Sequence, residues 1–188
     1  MKKLLSSKWL WLTAVVLCVA ILIHLLVVPL LVDHDGLRAE LGPAPARLPA
    51  EYTREQAIAD GCIVKDIESI VAGKDRWNWF RFKTVLRIPS AIRIYSDSLG
   101  EYFITDLAYD GREYVLYYHG GDTCSARYLK YSKAINPYGT GYEAHDQYYL
   151  STAADGTWNE YINSLLSASG DMPDYTAYLL FMEKSLPQ

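Results

Sequence analysis

Apolar positions along this chain fall into three regimes. From Trp9 to Val32 they are continuous, with no ionised side chain across 24 residues. From Asp33 to Ala50 they lose any period among Pro, Ala and Gly. From Glu51 onward they alternate, or recur at helical spacing, between clear turn residues.

The first regime would form a helix of ~36 Å, enough to cross a hydrocarbon core of ~30 Å with some tilt. A cleaved signal peptide and a buried core helix are the competing readings. The run ends in Pro29-Leu30-Leu31-Val32-Asp33, without the small residues of a cleavage site, and Cys18 lies mid-run after Val-Val-Leu, which does not suit a lipid-modified cysteine. A signal-anchor over residues 9–32 is therefore expected. Lys2, Lys3 and Lys8 precede the run while Asp33 and Asp35 follow it. Cations stay on the cytoplasmic side, so residues 1–8 form a cytoplasmic basic tip and the remainder is exported. Trp9 and Trp11 fit an interfacial belt, and His24 reads as a neutral imidazole bonded within the membrane.

The second regime, residues 33–50, reads as an extended Pro/Ala-rich spacer. The third, residues 51–188, is long enough for one domain with its own core. Thr53 and Gln56 form a capping box for a short helix ending at Gly61. Cys62-Ile63-Val64 resembles a buried strand. Asp66 can cap a second helix over Ile67, Ile70 and Val71, and Asp75 a third in which Trp79, Phe82, Val85 and Leu86 fall at helical spacing. Ile92 and Ile94 alternate with Arg93 and Tyr95. Tyr102 to Leu107 and Tyr114 to Tyr118 flank Asp110-Gly111, a two-residue hairpin signal. Further strands are expected at Tyr128–Tyr131 and Gln147–Thr152 around the turn-rich loop Asn136–Gly141, and Thr157 with Glu160 caps a helix through Leu166. Residues 174–184 suit a helix or a closing strand equally. The expected fold is α+β: a single-pass N-terminal transmembrane helix, then one domain with a mostly antiparallel sheet and short flanking helices.

Tyr52-Thr53-Arg54-Glu55-Gln56-Ala57-Ile58, Gly61-Cys62-Ile63-Val64, Ile92-Arg93-Ile94 and Asp106-Leu107-Ala108-Tyr109-Asp110-Gly111 stand in an order that resembles an uncharacterised family of small exported domains from Gram-positive bacteria. The resemblance covers residues 51–118. It implies a shared fold and extracytoplasmic location, and no particular chemistry. Many members resemble lipoproteins; this chain departs in its longer anchor.

Charge narrows the partners. Setting Lys2, Lys3 and Lys8 apart leaves 15 cations against 22 acids beyond the run, a net charge of about −7. An acidic surface does not attract nucleic acid, so the expected partners are the membrane and a protein or cell-wall polymer. Cys62 and Cys124 are the exported cysteines; a disulfide and two separate buried thiols are both open readings in an oxidising compartment.

No catalytic motif is present. His119-Gly120-Gly121-Asp122-Thr123-Cys124 reads as a turn rather than a Cys–His nucleophile site. His34, His119 and His145 lack metal-ligand spacing, no calcium loop or phosphate-cradling glycine loop occurs, and no cofactor is called for. Paired carboxylates for a wall hydrolase need only spatial proximity, and no pair stands out. Tyrosine is the unusual residue, at 16 of 188. It serves strands, and it also serves interfaces and sugar stacking. The candidate binding surface is Tyr138, Tyr142, Tyr148 and Tyr149. The expected function is a non-catalytic, membrane-anchored binding module, with a cell-wall-directed hydrolase as the alternative.

Overall fold

The computed structural model describes residues 2–27, 31–49, 51–66, 69–98, 101–135, 144–166 and 172–184. Helix α1 spans Lys2–Leu26. Its side chains are described from Trp9 to Ile23 and at Val27, and all of these are exposed. The hydroxyl of Thr13 folds back onto the carbonyls of Trp9 and Leu10 at 3.0 and 2.9 Å, so this polar side chain is satisfied inside the helix. Among the described residues no helix is long and apolar enough to cross a membrane.

The expected α+β domain with a mostly antiparallel sheet is present. Its main sheet has six strands in the order β2-β1-β3-β4-β5-β6. These are β1 (Ile63–Lys65), β2 (Ile70–Ala72), β3 (Ser90–Ser98), β4 (Glu101–Tyr109), β5 (Tyr114–Tyr118) and β6 (Thr123–Ala126). Among the described strands only β1 and β3 pair in parallel, joined by a crossover through β2 and a helix. A second sheet orders β7 (Tyr128–Ile135), β8 (Ala144–Ser151) and β9 (Ala177–Lys184). A single residue, Arg127, separates β6 from β7, so the chain turns a corner from one sheet to the other there.

The alternation along β3 and β4 divides the main sheet into two faces. Ile63, Ile92, Ile94, Leu107 and Leu116 point to the first, where they meet Trp77 and Phe80 and, from the second sheet, Leu150, Leu180 and Phe181. Val64, Tyr95 and Ile104 point to the other, with Tyr52, Ala57 and Cys62. The domain is thus three layers, with the six-stranded sheet in the middle.

The outer layer on the second face corrects the spacer reading. Asp33 caps a helix, α2 (His34–Ala39), by accepting from the Gly36 N–H at 2.7 Å, and a 3-10 turn follows at Pro45–Arg47. Leu37 and Pro45 are buried. Sheet side chains grip this strap largely through its carbonyls: Arg93 Nη2 donates to Pro43 O at 2.5 Å, His119 Nδ1 to Pro45 O at 2.8 Å and Tyr102 to Pro49 O at 2.8 Å. Tyr117 donates to Asp35 at 2.8 Å, and His34 Nε2 donates to Glu113 O at 3.0 Å. Irregular backbone exposes unpaired carbonyls, and these donors satisfy them. The folded unit therefore begins at Asp33 rather than Glu51.

Beneath the strap lies the one ion pair, among the described residues, that is buried on both sides. Arg93 and Asp106 are directly opposed across β3 and β4, with Nε–Oδ1 at 2.6 Å and Nη2–Oδ2 at 2.8 Å. Asp106 is fully buried and Arg93 is 7% exposed.

Helix α3 (Arg54–Ala59) carries the expected capping box, both halves formed, and Gly61 follows it at φ 76°. In place of the expected helix after Asp66, Ile70 and Val71 lie in β2, paired antiparallel with β1, and Asp66 accepts from the Ser69 N–H at 2.6 Å; Ile67 lies outside the described residues. Helix α4 (Lys74–Val85) forms as expected but is capped by Gly73, not Asp75. At φ 79°, with Cys62 O 2.9 Å from where a Cβ would sit, position 73 tolerates only glycine. Its buried face is Trp77, Phe80 and Thr84, not Trp79, Phe82 and Val85, which are exposed. The Asp110 hairpin has a four-residue loop, with Tyr109 opposite Tyr114 and the Asp110 carboxylate accepting from the N–H groups of Arg112 and Glu113 at 2.7 and 2.8 Å. Helix α5 (Trp158–Leu166) starts at Thr157, whose hydroxyl accepts from the Glu160 N–H at 3.2 Å. The reciprocal half of that capping box is taken by Tyr175, whose hydroxyl accepts from the Thr157 N–H at 3.0 Å. Residues 177–184 form a strand, resolving the C-terminal ambiguity; the loop at Asn136–Gly141 lies outside the described residues.

Removing the acid of the buried pair strands a guanidinium. Asp106→Asn is expected to cost about 3–5 kcal/mol of unfolding free energy, while Arg93→Met combined with Asp106→Leu recovers most of it. Urea unfolding followed by circular dichroism measures both; an unchanged midpoint for Asp106→Asn contradicts the assignment.

Candidate functional site

A concavity of about 860 Å³ lies where the strap meets α4 and the starts of β1 and β3. Tyr52 stands at its inner wall, donating to Asp60 at 2.7 Å with Cys62 Sγ 3.7 Å away. Burial, helped by the Asp60 hydrogen bond, pushes the Tyr52 phenol far above its usual range. Burial also pushes the Cys62 thiol up, which keeps it protonated and a poor nucleophile. Arg76 and Lys83 of α4 form the opposite wall, and Arg76 donates to Gly61 O. The carboxylates lining this cleft, Glu40 and Asp60, are both exposed.

A second pocket, about 430 Å³, opens between α4 and the strands β7 and β8. Its chemistry is aromatic and cationic. The Arg81 guanidinium sits 4.5 Å from the Tyr148 ring centroid and donates to the Tyr148 hydroxyl at 3.0 Å. Tyr148 is in turn held edge-on against buried Trp77, with centroids 5.4 Å apart. Tyr131 lies 5.2 Å from Tyr148 and donates to Asp146 at 2.7 Å, a bond that pushes its phenol up to about 12. On the neighbouring outer face of α4, Trp79 and Phe82 stack at 5.3 Å and are 57% and 50% exposed. Two rings stacked in water, beside a rigidly held Arg–Tyr pair, offer the residue types that carry energy at interfaces.

The sequence-predicted site residues divide accordingly. Tyr148 lines the second pocket. Tyr149, the next residue on the strand, points to the opposite face and is buried at 3%, with its hydroxyl 3.5 Å from Gly156 O, so it is a core residue and not part of a binding surface. Tyr138 and Tyr142 lie outside the described residues. Arg81, Trp79, Phe82 and Tyr131 were not singled out for this surface. The stacked pair had a visible signal, three residues apart on a helix whose other stripe is also aromatic.

A Cys62–Cys124 disulfide is ruled out by topology. Both thiols are free; Cys62 belongs to the second face of the sheet, while Cys124 of β6 packs with the first-face core. β1 and β6 are also four strands apart, ~19 Å at the usual interstrand spacing, against a reach of ~7 Å for a disulfide. His119 holds the strap rather than activating Cys124. Among the described residues no group of three or more metal-binding side chains gathers.

No protein-family model, curated protein or solved structure matches this chain.

Alkylation of the denatured chain without reductant is expected to label both Cys62 and Cys124, read by intact mass and peptide mapping. In the folded protein Cys124 should react faster than Cys62. A mass two daltons low, with both sites unlabelled until reduced, contradicts the topology.

Proposed function

We propose that this chain is a membrane-tethered extracytoplasmic binding module. Residues 1–8 remain in the cytoplasm, residues 9–32 cross the bilayer, and the domain from Asp33 engages a protein or cell-wall polymer outside. The observation that carries the tether is the exposure of apolar side chains on every side of α1, from Leu10 at 68% to Ile23 at 53%. A helix that is apolar all round is stable when buried in protein or in lipid, and the uncharged run continues beyond the helix to Val32. The resemblance of residues 51–118 to exported Gram-positive domains belongs to the same proposal.

Binding is favoured over wall hydrolysis because the carboxylates described in this cleft, Glu40 and Asp60, are both exposed and its thiol is held protonated by burial. The binding surface in this reading is the Arg81–Tyr148–Tyr131 pocket with the Trp79–Phe82 stack beside it.

In cell fractions the intact protein should stay with membranes after a carbonate wash, and added protease should digest the domain in intact spheroplasts. A soluble polypeptide starting near Asp33, or a domain shielded from protease, contradicts the tether. Crosslinked cells should yield a partner protein or wall polymer whose recovery falls tenfold or more in Phe82→Ala with Tyr131→Ala, a loss of about 1.4 kcal/mol or more. Equal recovery places the interface elsewhere.

A further inference from the structure

The first face of the main sheet is covered at one end by α4 and across its middle by β9. Beyond β9, at the Ser96–Phe103 end, a pocket of about 310 Å³ is left between the sheet and the strand. Ile94, Leu116, Leu179 and Leu180 give it apolar walls, and Phe103, 54% exposed, stands at its lip. Lys65 of β1 reaches into it.

Lys65 is a cation in the wrong surroundings. Its Nζ donates to Leu180 O at 2.7 Å and lies 5.7 Å from the Phe181 ring centroid. Among the described residues no carboxylate pairs with it, whereas Lys74 takes Glu183 and Arg54 takes Asp97. Burial alone pushes its ammonium below the ordinary lysine range. A half-buried ammonium with a carbonyl for company lacks, among the described residues, the counter-charge that offsets its desolvation. Ser96 and Thr105 line the same pocket with hydroxyls able to donate to an anion.

We propose that this pocket binds an aliphatic monocarboxylate, its head paired with Lys65 and its tail against Ile94, Leu116 and Leu179. One fixed positive charge matches a single negative one; a phosphate dianion would be left half-neutralised among apolar walls. The volume sits at the low end of small-molecule sites, which favours a short chain. The inference is independent of the tether and of the Arg81 surface, since neither contributes a residue to the pocket.

The test uses the full chain in lipid nanodiscs, titrated calorimetrically with hexanoate and with hexan-1-ol, with empty nanodiscs subtracted. Hexanoate should bind saturably at one site, at least tenfold tighter than hexan-1-ol. Lys65→Met, which preserves length and apolar contact with Phe181, should weaken hexanoate at least tenfold; Lys65→Arg should retain it. Ser96→Phe, filling the open end of the pocket while leaving the cation in place, should abolish binding and decides the matter if Lys65→Met fails to fold. Absence of saturable hexanoate binding, equal affinity for the alcohol, or undiminished binding in Lys65→Met or Ser96→Phe would overturn the proposal.

Discussion

A buried Arg–Asp pair in the middle of a β-sheet constrains everything built over it. Arg93 and Asp106 oppose each other on adjacent strands at a point where a half-exposed sheet would show them to water, and there their attraction would be worth little. Covered, they must have every donor and acceptor met or they cost several kcal/mol. The Arg93 fork gives two bonds to Asp106, and its Nη2 also donates to the carbonyl of Pro43. The pair therefore selects one placement of the strap, and the strap makes the pair buried.

That mutual requirement links the N-terminal helix to the sheet. Only a few residues separate Leu26, where α1 ends, from Asp33, where α2 is capped, and from there the strap is held at Asp35, Pro43, Pro45 and Pro49 by side chains of β3, β4, β5 and the turn after it. In the proposed function the tether joins the domain through this strap, on the second face of the sheet. The opposite face, carrying α4 and the second sheet, is then left to present the Arg81–Tyr148 surface.

Much of this was legible from residue pattern, and the failures have physical causes. The Thr53–Gln56 box, the Ile92–Ile94 alternation and the Asp110 turn are local signals, and their elements formed where expected. The strap was missed because it buries single residues, Leu37 and Pro45, in irregular backbone that has no period to detect. The same omission hid the meaning of Arg93, which bonds the strap at Pro43 O, while the alternate Tyr95 is covered by the rings of Tyr52 and Tyr102. In α4 two aromatic stripes, Trp77–Phe80 and Trp79–Phe82, have the same spacing, so hydrophobicity could not say which one turned inward. Tyr148 and Tyr149 illustrate the period of two: adjacent in sequence, they serve a pocket and a core. The distance between Cys62 and Cys124 is set by strand order, which no local pattern records.

The central claim is that residues 34–48 are a folded layer of the domain and not a linker. Native-state amide hydrogen exchange of the full chain, read by mass spectrometry of peptides spanning the strap, tests it most directly. The account predicts protection of the Leu37, Leu41 and Arg47 amides that bond within the strap, lost together with that of β3 and β4 when Asp106 is replaced by Asn. Exchange of the strap at the rate of an unstructured peptide, with β3 and β4 still protected, would contradict it.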